Sequence, residues 1–163
     1  MSKKIHEKYR LLFLVLIALM VLVTDQATKQ AVVAAIPLGS GLEIVPGYLN
    51  IVHVRNPGAV FGIMSEGSSD FRVGFFILIS LVALVIVIWM VRTSPSLERH
   101  LLLAYSLFFG GALGNLVDRI YYGEVIDFID AHWGTLHWPA FNVADSALTV
   151  GAGLFMLHFI VRR

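Results

Sequence analysis

The chain has 163 residues, 58% hydrophobic and 14% charged, with a formal net charge of +1. Ordinary soluble domains carry about 25% charged residues, so this composition, with a mean hydropathy of +0.80, excludes a soluble domain and predicts one membrane-embedded unit over residues 1–163. Cysteine is absent, which excludes a thiol nucleophile, a disulfide framework and thiolate metal ligands.

Four apolar segments are expected to cross the bilayer, at about residues 11–36, 73–91, 101–117 and 140–161. Each meets or approaches the ~20 residues that a crossing helix needs. The third and fourth are short unless their polar ends, Asn115, Asp118, Asn142 and Asp145, remain helical. The first resembles a secretory leader, but it carries Asp25 and Lys29 and three further spans follow, so it is read as retained. Four crossings put both termini on one side. Lys3, Lys4, Lys8, Arg10, Arg92, Arg99, Arg162 and Arg163 gather at one set of helix ends, against Lys29, Arg55, Arg72 and Arg119 at the other. The excess of cations predicts cytoplasmic termini. The loops Leu38–Asp70 and Arg119–Pro139 then face outward.

Along the first helix, Asp25 and Lys29 are four apart and share a face. A structural ion pair is the favoured reading, with snorkelling of Lys29 towards headgroups as a further possibility. Leu42–Val45 and Tyr48–Val54 flank Pro46-Gly47 and predict two short strands, a small sheet at the outer interface. Asn56-Pro57-Gly58 ends the second strand, and the apolar Ala59–Met64 predicts a short surface helix. Gly58, Gly62 and Gly67 suit a mobile lid over residues 56–70.

On the third helix, Gly110 and Gly114 are spaced for close helix packing in a membrane. Asn115, Asp118 and Arg119 follow as a polar cluster with a supporting role. His132, Trp133, His137 and Trp138 read as interfacial loop residues, a weak metal signal without a third ligand.

Asp127 and Asp145 flank long apolar runs, and a carboxylate at membrane depth is costly enough to mark a functional site. Were they to meet, they would titrate as one coupled unit, the arrangement that separates acid from base in aspartic proteases. On the residues alone, an aspartyl hydrolase and a transport or structural role remain alternatives. A serine-lysine protease is weak, since no Gly-x-Ser-x-Gly elbow occurs.

Five segments together resemble the boxes of the bacterial lipoprotein signal peptidases, or signal peptidases II. They are Asp25-Gln26-Ala27-Thr28-Lys29, Asn56-Pro57-Gly58-Ala59-Val60-Phe61-Gly62, Gly110–Arg119, Val125-Ile126-Asp127-Phe128 and Phe141-Asn142-Val143-Ala144-Asp145-Ser146. Val60 departs from the commoner alanine of the second box. The resemblance implies an all-α integral membrane protein with four transmembrane helices, an extracytoplasmic β-cradle and a short surface helix. It implies an intramembrane aspartyl endopeptidase of the bacterial cytoplasmic (inner) membrane, with its active site near the outer face. The substrates would be diacylglyceryl-modified prolipoproteins, cut before the lipidated cysteine. Asp127 and Asp145 match the catalytic pair. Asp25, Lys29, Asn56, Gly58, Gly114, Asn115, Asp118, Arg119 and Asn142 match residues that line or support the site. No metal or organic cofactor and no nucleic acid is implied. The expected partners are substrate, membrane lipids and globomycin-type inhibitors, with the chain a monomer.

Overall fold

The computed structural model describes residues 3–58, 69–93 and 98–161. The elements run α1 (Lys3–Ala35), β1 (Gly41–Val45), β2 (Leu49–Asn56), α2 (Ser69–Thr93), α3 (Arg99–Tyr122), β3 (Val125–Trp133), β4 (Leu136–His137) and α4 (Val143–Val161). Three helical stretches, Lys8–Ala35, Asp70–Thr93 and Arg99–Tyr122, are long and apolar enough to cross a membrane, while the apolar part of α4, Val143–His158, is shorter. Large apolar side chains face outward along α1 and α2, among them Leu16, Met20, Leu78, Val85 and Trp89. Such an outer surface suits a lipid solvent, in which a helix satisfies its own backbone polar groups.

α3 runs through the middle and packs against the other three helices. Its glycines make this possible. A Cβ at Gly110 would stand 2.8 Å from the Val21 Cβ and 3.0 Å from the Ala18 Cα of α1, and one at Gly111 would stand 2.6 Å from the Ala144 carbonyl oxygen of α4. The small-residue packing face expected from the sequence is thus two-sided. Gly123, at φ 73°, ends α3 in the left-handed conformation and donates its N–H to the Arg119 carbonyl at 3.1 Å. That conformation suits glycine and turns the chain at once into β3.

The sheet is four-stranded and antiparallel, in the order β1-β2-β3-β4. This corrects the expectation of a two-stranded sheet and of a loop over Arg119–Pro139. β3 pairs with β2 over Leu49↔Ala131 to Asn56↔Val125, so Asp127 stands opposite Val54. His132 and His137 accordingly lie on β3 and β4 rather than in a loop, with rings stacked at 4.6 Å. Phe128 fastens the sheet to the end of α1 by packing on Val32 and Ile36. At the far end of the bundle, Leu14, Val91, Leu102 and Tyr105 form a second apolar core. The surface helix expected over 59–64, and most of the lid expected over 56–70, lie outside the described residues.

Replacing Gly110 by alanine drives a methyl group into the backbone of α1 and should cost about 1–3 kcal/mol, the usual penalty of overpacking. Gly153→Ala, inside α4 where nothing lies within 4 Å, should keep or raise stability, since alanine is the better helix former. Thermal unfolding of the two variants in detergent provides the comparison.

Candidate active site

Lys29 is fully buried, which corrects the possibility that it snorkels to lipid. Its ammonium lies 2.7 Å from Asp25 Oδ2 and 2.8 Å from Asp118 Oδ2, and donates to Asn115 Oδ1 at 3.1 Å. An ammonium has three donors, and here each has a partner. The two carboxylates reach further. Asp25 Oδ1 accepts the Ala144 N–H at the start of α4 at 2.8 Å, and Asp118 Oδ2 accepts the Ile126 N–H of β3 at 3.1 Å. Gln26 Nε2 donates to Asp118 Oδ1 and to the Gly114 carbonyl, at 2.9 and 3.2 Å. A side chain at Gly114 would intrude on Asp25 and Ala144. Asp25 and Lys29 thus form the ion pair expected from their spacing, and its network ties α1, α3, β3 and α4 together.

Above this layer stand the two aspartates. Asn142 is the residue before α4 and forms a reciprocal capping box with Asp145. The Asp145 N–H donates to Asn142 Oδ1 at 2.9 Å, and the Asn142 N–H donates to Asp145 Oδ2 at 3.2 Å. The Asn142 amide also donates to Asp127 Oδ1 at 2.7 Å. One asparagine thus touches both carboxylates. Asn115 Nδ2 donates to the other oxygen of Asp145 at 2.8 Å, and Asn56 Nδ2 donates to Asp127 Oδ2 at 2.9 Å. Asn56 is held in turn by the Gly58 N–H, which donates to its Oδ1 at 2.9 Å. Gly58 has φ +84°, and a Cβ there would overlap the Phe76 ring, so glycine is required on both counts. Arg119 donates to the Asn115 carbonyl at 3.3 Å and lies over Phe76 at 5.1 Å.

All eleven residues expected at the site are brought into one connected cluster. Sequence reasoning passed over Gln26 and Phe76. Gln26 adjoins Asp25 within the first box and was readable there; Phe76 sits in an unbroken apolar helix and carries no local signal. Burial, reinforced by the nearby Asp145 charge, pushes the Asp127 carboxyl up to about 6, against the opposing pull of the Asn56 and Asn142 amides.

Two clefts meet at Asp145. One, of about 360 Å³, is apolar and runs between α2, α3 and α4, with Phe76, Leu84, Phe108 and Leu148 on its walls and Asn115 and Arg119 at its polar end. The other, of about 640 Å³, is bounded by Asn56, the Trp138–Phe141 segment and Ser146, Thr149 and Val150 of α4.

A family model described as "Signal peptidase (SPase) II" matches residues 17–161. The chain is 46% identical over 144 residues to a lipoprotein signal peptidase of Syntrophotalea carbinolica, covering 88% of each chain. It is 44% identical over 139 residues to that of Geobacter sulfurreducens, covering 85% of this chain and 86% of the other. A solved structure described as a bacterial membrane enzyme superposes with a TM-score of 0.79 at 35% identity, over 90% of this chain and 91% of that one.

The raised Asp127 carboxyl bears on stability. Unfolded, an aspartate of ordinary value 3.8 gives up its proton at lower pH than the folded group does near 6. The resulting stabilisation is complete below about pH 4 and is lost as pH rises through about 6. Asp127→Asn does not titrate, so its stability relative to the parent should improve between those values by up to about 3 kcal/mol, at 1.36 kcal/mol per pKa unit. Unfolding curves of both proteins that shift in parallel with pH would contradict this.

Proposed function

The chain belongs to the signal peptidase II family, and from that premise we propose that it is an aspartyl endopeptidase with Asp127 and Asp145 as its catalytic pair. The family removes signal peptides from prolipoproteins, and this chain is a multi-pass membrane member of it. Within that activity, we assign cleavage to the amino side of the diacylglyceryl-modified cysteine. The carrying observation is Asn142, whose amide and backbone place an N–H on each of the two carboxylates.

In this reading a water molecule sits between the carboxylates. Asp145, whose two oxygens each accept an N–H, takes the proton from that water as general base. Asp127, whose carboxyl holds its proton to a higher pH than usual, donates to the scissile carbonyl oxygen as the tetrahedral intermediate forms. Stabilising the charge that develops there lowers the barrier. The proton gained by Asp145 then passes to the cysteine nitrogen as the C–N bond breaks, and Asp127 recovers its proton from the intermediate as the new carboxyl group forms. Asn56, Asn115, Asn142 and Arg119 hold the pair and its surroundings, while Asp25, Lys29, Asp118 and Gly114 support them from beneath.

The two clefts at Asp145 support a division of labour. The apolar cleft between α2, α3 and α4 takes the acyl chains of the substrate, whose burial is worth about 0.8 kcal/mol per CH₂. The cleft beside Trp138–Phe141 takes the signal peptide. The full reading is of four membrane crossings in the cytoplasmic (inner) membrane of a bacterium, both termini inside and the dyad near the outer face. A carrier role for Asp25 is disfavoured by its complete burial and its bonds to Lys29 and Ala144.

Purified protein given a lipidated lipobox peptide tests the assignment. Asp127→Asn and Asp145→Asn should each lower turnover by about 10²–10⁴-fold or more while the protein still folds and binds the peptide. Normal turnover in either variant would remove it from the dyad. Equal cleavage of an unlipidated peptide would overturn the substrate assignment and leave the dyad standing.

A further inference from the structure

The opposite end of α3 and α4 holds a second cluster that the peptidase reading does not use. Glu98, His100 and His158 turn one ligand atom each towards a common point. His100 Nε2 is 2.8 Å from His158 Nδ1, and Glu98 Oε2 lies 3.4 Å from the first and 3.8 Å from the second. Glu98 is the N-cap residue of α3, yet its side chain makes no capping hydrogen bond to that helix. Its carboxylate points to the histidines instead. The His158 side chain is 10% exposed, whereas His100 and Glu98 are partly open. A cavity of about 300 Å³, walled by Leu157 and Val161, opens beside the three.

These dimensions suit an ion. A metal about 2.0–2.1 Å from each of three tetrahedral ligands sets their atoms roughly 3.3 Å apart. The three measured separations straddle that value. Two imidazoles and one carboxylate select a borderline transition-metal ion over Mg²⁺ or Ca²⁺, which prefer oxygen. The cavity leaves room for a water as fourth ligand.

We propose that Glu98, His100 and His158 bind a divalent transition-metal ion of the Zn²⁺ class, tying the start of α3 to the last turn of α4. His158 lies thirteen positions beyond Asp145 on α4, about 20 Å at 1.5 Å per residue. The ion therefore serves the bundle and takes no part in peptide cleavage.

Full-length protein without a polyhistidine tag, stripped with chelator and held in detergent, provides the test. Zn²⁺ titrated in a calorimeter should bind at one ion per chain and raise the unfolding temperature. Co²⁺ should give the visible absorption of a four-coordinate nitrogen and oxygen site. His100→Gln and His158→Gln should each weaken Zn²⁺ binding by roughly tenfold or more, whereas the double variant His132→Gln, His137→Gln should bind as the parent does. Glu98→Gln, at the edge of the fold, tests the site should a histidine variant fail to fold, and it too should weaken binding. Absence of the cobalt spectrum in the parent, Mg²⁺ binding as tightly as Zn²⁺, or undiminished Zn²⁺ binding in folded variants of the cluster would each overturn the proposal.

Discussion

Everything at the sheet end of this molecule depends on one buried ammonium. Lys29 has no exposure at all and is neutralised by Asp25 from its own helix and Asp118 from α3. Removing one partner of such a pair leaves a buried charge uncompensated, at a cost of about 3–5 kcal/mol. The chain therefore has little freedom in how α1 meets α3. Gly114 is small because the Asp25 carboxylate occupies the space where its Cβ would stand. The two acids also accept backbone N–H groups from α4 and β3, the two elements that carry Asp145 and Asp127. The charge network thus holds in place the two elements that carry Asp127 and Asp145.

A second economy lies at the start of α4. Asn142 closes a capping box with Asp145, which satisfies N–H groups that a helix N-terminus leaves without intrahelical partners. The same side chain also reaches Asp127 on β3. Asp145 is thus at once a capping residue and a proposed catalytic carboxylate, and its position is fixed by helix geometry rather than by a flexible loop. The cost of such an arrangement is visible in Asp127, where burial and a nearby like charge hold the proton on to about 6. Two carboxylates pressed together in a poorly solvated place resist both being ionised.

The helices and part of the candidate site were legible in the sequence because their signals are local. Hydrophobic length marked α1 to α3, and spacing of three and four placed Asn115, Asp118 and Arg119 on one polar end; Asn56, Gly58, Gly114 and Asn142 were legible as site residues only through the resemblance of their segments to the family's boxes. β3 was not legible, for a physical reason. Its first four residues are all buried, so the alternation that announces a half-exposed strand is missing. Its partner β2 lies some seventy residues earlier, a pairing that no local pattern encodes. The ion pair of Lys29 with Asp25 was legible from their spacing, but the full burial of Lys29 was not, for a related reason. A lysine near a helix end is usually free to reach water, and only the return of α3 past α1 places Asp118 and Asn115 around it. Glu98, His100 and His158 converge only when the end of α4 comes back beside the start of α3, so their sequence positions suggested nothing.

The separation of the two aspartates is set by backbone pairing rather than by their own contact. Phe141 forms a bridge with Ile129, accepting the Phe128 and Ile129 N–H groups at 3.0 and 2.8 Å and donating its own N–H to the Ile129 carbonyl at 3.0 Å. That bridge fixes residue 141 against residue 129, and so places Asn142 beside Asp127 before any side chain is considered. The two ends of the intervening hairpin, β4 included, are thus pinned to each other by backbone bonds. Coulomb repulsion between the two carboxylates varies inversely with their separation and is amplified where water is scarce, so the proposed pairing of Asp127 and Asp145 depends on a fixed distance. Placing one member on a strand and the other on a helix, with a three-bond backbone clamp between them, meets that demand with rigid elements only.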